Sequence, residues 1–257
     1  TLEANTGNSV FRYNITQAGA TDDVTVTLKN GTITAGDNTW CVVMAAGLSD
    51  DIKAVFNLEN LTINASKPGD LAVKAWDYAL INAKNVTVNA TKGAGGFYAL
   101  GGEIVLDNCT VNQKGLWTAP YLSMAVAVSN GGKATVNSGT YTAVPTAASE
   151  GNNQGSSHGS WAAGVMNSGG ELIINGGTFA NGNFGDDALA TAARGLIFGD
   201  TASMIVINDG TFNALKSIID YQNNLGVQPN PNIIINGGDF SADPSVVASY
   251  GGVVIKE

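Results

Sequence analysis

One phrase recurs through this chain of 257 residues with altered wording, and no other feature limits its folding as much. It appears as VTLKNGTITA, FNLENLTINA, INAKNVTVNA, IVLDNCTVNQ, ATVNSGTYTA, LIINGGTFAN, IVINDGTFNA and IIINGGDFSA. Aligned after the turn, the copies place Thr32, Thr62, Thr87, Thr110, Thr140, Thr178 and Thr211 in one column, which Asp239 closes. Successive members are 30, 25, 23, 30, 38, 33 and 28 residues apart. A minimum in the low twenties with irregular excess points to one coil of a solenoid per repeat, the excess being loops.

The columns are physically consistent. Before the turn, apolar residues stand two apart, as in Phe56/Leu58, Ile104/Leu106 and Ile205/Ile207. That period of two marks a strand with one buried face. A third apolar column, Ile33, Ile63, Val88, Val111, Tyr141, Phe179, Phe212 and Phe240, follows the turn. Asn with small neighbours stands between them (KNG, ENL, KNV, DNC, NSG, NGG, NDG, NGG), where a left-handed backbone suits a tight bend. Each unit is thus strand, corner, strand. One unit buries too few side chains to repay the ordering of its backbone, so stability requires stacking.

Further apolar runs, CVVMAA, LAVKAW, FYAL, MAVAV, AAGVM, LIF and SIID, supply a third strand per coil. Residues 1–22 are expected to cap one end of the stack, 23–242 to form the coils, and 243–257 to form a last partial coil and cap, all one domain. Cys109 falls in the inward column that also holds Leu61, Val86 and Gly139, which predicts a buried thiol. Seven Asn-x-Ser/Thr sequons occur, and four of their asparagines, Asn30, Asn60, Asn85 and Asn108, are corner residues. These read as turn chemistry rather than glycan acceptors.

With its strand-Asn-Thr coils, the segment from Asp23 to Ala242 resembles the right-handed parallel β-helix of the pectin-lyase-like superfamily. The ending INGGDFSADPS is similar to phrases in secreted or surface repeat proteins of gut-type bacteria and their phages. The resemblance implies an all-β, right-handed parallel β-helix solenoid of about eight coils with three short strands per coil. That superfamily holds lyases and glycoside hydrolases as well as adhesins and virion spikes, so the fold alone assigns no activity.

Charge narrows the partners. A net charge of -9 and a pI near 4.4 disfavour nucleic acid and anionic membranes. No apolar run is long enough to span a bilayer as a helix. Low Lys and Arg with abundant Asn, Thr and Gly fit an extracellular or cell-surface location. The longest insertions, Gln113 to Ser123, Val144 to Ser160 and Asn181 to Arg194, each follow the post-turn strand, so stacking in register would pile them on one flank. They carry Trp117, Tyr121, His158, Asp186, Asp187 and Arg194, with Trp161 at their base. Aromatic faces beside carboxylates and amides suit a glycan or surface polymer; alternatively Trp117 and Trp161 pin the loops to the solenoid wall.

Catalysis is less well supported. Asp186-Asp187 and His158-Gly159 resemble the polygalacturonase group in residue type, but their order is reversed and its Asn-Thr-Asp and Arg-Ile-Lys elements are missing. A polyuronate lyase needs a strong base with calcium-holding acids, and Arg12 and Arg194 are the only arginines. No catalytic residue, metal ligand set or cofactor is assigned, and whether the chain is an enzyme stays open, with a binding or adhesion role favoured. A structural fibre is a further alternative. So is an ice-binding solenoid, because the Thr column is accompanied two residues on by Thr34, Asn64, Asn89, Asn112, Thr142, Ala180, Asn213 and Ser241.

Overall fold

The computed structural model describes residues 2–4, 9–15, 21–35, 39–66, 71–91, 94–115, 124–144, 161–166, 169–181, 195–199, 202–214, 217–221, 232–244 and 253–255. Within them the chain is all-β, and every pairing between strands is parallel, with isolated antiparallel bridges at Ser49–Ile52 and Trp76–Gly101. The strand before the corner stacks through Leu80–Lys84, Glu103–Asp107, Gly132–Val136, Gly170–Ile174, Ser203–Ile207, Asn232–Ile235 and Val253–Ile255. The strand after it stacks through Thr87–Ala90, Cys109–Lys114, Gly139–Val144, Thr178–Asn181, Thr211–Asn213 and Asp239–Phe240. At the first two levels both limbs belong to single 12-residue strands, Val24–Ala35 and Ala54–Ala65, bent at Asn30 and Asn60. Eight further strands, from Ser9–Asn14 through Cys41–Ala46 and Leu71–Trp76 to Ser217–Tyr221, form a second sheet. Parallel strands joined by crossovers, level upon level, are compatible with a parallel β-solenoid.

Register follows the sequence columns. Thr32, Thr62, Thr87, Thr110, Thr140, Thr178, Thr211 and Asp239 are partners in one unbroken ladder. Because side chains alternate faces, this register sends the flanking apolar columns inward together. Phe56, Ile63, Ile104, Val111, Ile205 and Phe212 are all fully buried in one core with the inner side chains of the second sheet. In the N-terminal stretch Leu2–Ala4 pairs with Val24–Ala35, and Ser9–Asn14 with Cys41–Ala46.

The corner column divides into two kinds of bend. Asn30, Asn60, Asn85 and Asn108 are left-handed, with φ between 51 and 59°. Their amides form a ladder: Asn60 Nδ2 donates to Asn30 Oδ1 at 3.2 Å, Asn85 to Asn60 at 3.1 Å, and Asn108 to Asn85 at 2.8 Å. From the next level on, the asparagine moves back one position and the positive φ moves forward one, onto the glycine that stands in register with Cys109. Asn175 donates to Asn137 at 2.9 Å, Asn208 to Asn175 at 2.8 Å and Asn236 to Asn208 at 2.7 Å. Gly139, Gly177, Gly210 and Gly238 carry φ of 107 to 136°. Ser138 joins the two ladders, accepting from the Asn108 N–H at 2.8 Å and donating to Asp107 Oδ1 at 3.2 Å.

The core changes at the same level. Where Leu61, Val86 and the fully buried Cys109 point inward, the residues two further on are Ile63, Val88 and Val111. Where glycine replaces them, those residues become Tyr141, Phe179, Phe212 and Phe240, whose rings stack at 5.0, 5.3 and 4.9 Å. A side-chain carbon added to Gly210 or Gly238 would lie 3.1 Å from the ring of Phe212 or Phe240. The glycine gives up volume that the ring fills, which keeps the packing density of the interior. Burial pushes the Cys109 thiol pKa up to about 11, as expected for a core thiol.

Candidate functional site

From Cys41–Ala46 on, the second sheet is largely buried on both faces, whereas its first strand, Ser9–Asn14, is only partly buried. All six residues of Cys41–Ala46 are buried, as are the first five of Leu71–Trp76 and of Gly95–Leu100. Its inner residues join the main core; its outer ones form a separate cluster of Met44, Leu71, Tyr98, Met124, Trp161 and Phe198. Continuous apolar runs such as CVVMAA are what two covered faces demand. Lys74 interrupts this outer face. It is 3% exposed, with its ammonium 4.2 Å from the Trp76 ring and 4.4 Å from that of Trp40. Burial lowers its pKa, an effect that nearby Cys41 and Asp77 oppose. The two rings supply the electron-rich faces that make such a cation tolerable.

Of the residues singled out in the sequence, Trp161 lies among those described. It is 1% exposed, its ring 4.5 Å from Phe198 and tilted against it, so it presents no open face to a sugar. Trp117, Tyr121, His158, Asp186, Asp187 and Arg194 lie outside the described residues. The points where their three segments leave and rejoin the ladders are described. Lys114 is the partner of Val144, and Ala143 of Asn181, so the segments leave from adjoining levels. They return together too: the Val126 N–H donates to Ala162 O at 3.0 Å, and the Ala162 N–H to Leu196 O at 2.9 Å.

A second feature was not anticipated. At the corner between the second sheet and the following limb, a groove of about 540 Å³ runs across several levels. Asp50, Lys53, Asp77, Tyr78, Glu103 and Lys133 line it. Lys133 is held 2.9 Å from Glu171, whose hydrogen bond raises its pKa. Tyr78 is 42% exposed. Its backbone is left-handed at φ 50°, and so is that of Asp77 at φ 31°. At the same corner Gly101, Gly131 and Gly169 carry φ of 71 to 75°. The clue in the sequence was Asp77-Tyr78-Ala79 standing where the next level reads Gly101-Gly102, a contrast that the repeat alignment does not reach.

Neighbouring levels hold this unusual turn. The Gly47 N–H donates to Asp77 O at 2.8 Å, the Asp77 N–H to Leu100 O at 2.9 Å, and the Tyr78 N–H to Gly101 O at 3.4 Å. Trp76, clamped on Lys74, fixes the strand end from which the turn departs. Among the described residues no group of three or more His, Cys, Asp or Glu side chains could hold a metal ion.

Outside the sheet wall, the Thr ladder is flanked by a row of amides. Asn64 Nδ2 donates to Thr34 Oγ1 at 3.1 Å, Asn89 to Asn64 at 2.9 Å, and Asn112 to Asn89 at 3.0 Å. Comparison with protein-family models, with curated proteins and with solved structures gives no match.

Proposed function

We propose that this chain is a non-catalytic extracellular or cell-surface binding and adhesion module directed at carbohydrate. On this reading its frame is a right-handed parallel β-helix of about eight coils on the pectin-lyase-like plan, and the wide connections of the middle coils form the binding flank. The observation that carries the proposal is the stacking of the points where those connections leave and return. Loops rooted on a rigid ladder, one level above another, can present aromatic and carboxylate side chains along the length of a polymer. The acidic surface favours neutral glycans over uronic or sulphated ones. The amide row beside the Thr ladder spends its hydrogen bonds between levels, which supports a stabilising part for that face rather than contact with ice.

A glycan array paired with reducing-sugar and unsaturated-uronate assays tests the proposal. The expected result is retention on neutral glycans without turnover. Turnover that disappears in Asp187→Asn would replace the proposal with a polysaccharide-cleaving enzyme. Concentration-independent oligomers in light scattering, without glycan retention, would replace it with a structural fibre.

A further inference from the structure

The groove beside Tyr78 has features that packing alone does not account for. A tyrosine and an aspartate occupy consecutive left-handed positions at a corner where other levels use glycine or asparagine. For a bulky side chain that conformation is costly, and it persists only where the surroundings impose it. Here they do: the three backbone hydrogen bonds from neighbouring levels fix the turn. A side-chain carbon on Gly47 would collide with the Tyr78 carbonyl, so that glycine is what allows the close approach. The outcome is an aromatic ring left substantially exposed at the edge of a polar groove.

The chemistry of the lining selects the occupant. Asp50, Asp77 and Glu103 accept hydrogen bonds, Lys53 and Lys133 donate them, and the Asn130 amide does both. Carboxylates outnumber the ammonium groups, and one of the latter is already paired with Glu171, which disfavours an anionic ligand. An extended peptide would need unpaired backbone to add to. The corner offers little, because Gly101, Glu103, Gly131 and Lys133 each donate their N–H to a carbonyl of another level. A hydroxyl-rich, uncharged ring with one apolar face satisfies both the aromatic surface and the mixed polar rim.

We propose that the Tyr78 groove is a saccharide site in its own right, taking a neutral sugar unit stacked on the Tyr78 ring with its hydroxyls on Asp77, Glu103 and Lys133. This rests on the carbohydrate-directed reading but not on the wide connections of the middle coils.

The test uses the full chain on an array of neutral and uronate-containing oligosaccharides, followed by calorimetry with the neutral oligosaccharide retained most strongly. Tyr78→Gly relieves the left-handed strain, so it is expected to melt no lower than the parent while binding at least about tenfold more weakly. Tyr78→Phe, which keeps the ring, is expected to bind within about threefold of the parent. Trp117→Ala serves as the comparison, since it removes a ring assigned to the loop flank. Parent-like binding by Tyr78→Gly together with loss in Trp117→Ala would overturn the groove and leave the loop flank standing. A parent chain that retains no glycan would overturn both, and preferential retention of uronates would overturn the assignment to a neutral ligand.

Discussion

Asn85 shows how much a single corner residue does. Its amide donates to Asn60 at 3.1 Å and its carbonyl accepts from Asn108 at 2.8 Å, while its backbone sits at φ 53°. Asparagine tolerates that backbone better than other non-glycine residues and also extends the ladder. The two contributions are separable. Asn85→Gly keeps the left-handed turn and loses both side-chain bonds, and is expected to cost about 1 kcal/mol. Asn85→Ala loses the bonds and also strains the backbone, and is expected to cost about 1 kcal/mol more. Urea denaturation midpoints check the order, and equal losses would mean that backbone strain contributes nothing. The four sequon asparagines at corners were legible as turn residues from sequence because each precedes its Thr by two positions. The same arithmetic held an unused clue: Asn137, Asn175, Asn208 and Asn236 precede theirs, or Asp239, by three. In those corners the positive φ falls one position later, on the glycine directly before the Thr or Asp239.

At the scale of the strand pair, the exchange of Cys109 and Val111 for Gly139 and Tyr141 is a change of packing scheme between adjoining levels. It leads to a coupled prediction. Val111→Phe forces a ring into a column where the Cys109 side chain stands, and is expected to cost about 1–3 kcal/mol by overpacking. In the double substitution with Cys109→Gly the ring gains both space and a neighbour in Tyr141. The double loss is expected to fall short of the summed single losses by about 1 kcal/mol or more. Strict additivity in denaturation midpoints would refute the exchange. The aromatic column itself was legible, since Tyr141, Phe179, Phe212 and Phe240 follow the turn at fixed spacing. Its cause was not, because a period-two pattern reports which face a residue occupies and not which neighbour yields volume to it. The third strands were likewise visible as apolar runs, and Lys74 within LAVKAW gave no sign of the two tryptophans that hold it, one of them 34 residues earlier in the chain.

For the whole molecule, the repeat made the parallel stack legible because every level repeats the same inward columns, and only one register buries them all. The candidate site was legible in a weaker sense. Lengths of insertion marked where the chain leaves the ladders, and Lys114, Val144 and Asn181 do leave them from adjoining levels. Exposure could not be read the same way: Trp161, an aromatic in a Gly/Ser-rich neighbourhood, is buried against Phe198. The groove at Tyr78 arises where four levels meet, and no contiguous stretch of sequence contains it.

The central claim is that the Thr column forms one ladder rising a strand at a time. Pulsed dipolar spectroscopy between spin labels on Thr62→Cys and Thr211→Cys measures that rise directly, since native Cys41 and Cys109 are fully buried. Five ladder steps separate the two positions, so a distance near 24 Å is expected, shortening by about 5 Å when the second label moves to Thr178→Cys. A distance that is much longer, or that does not shorten with that move, would contradict the stack.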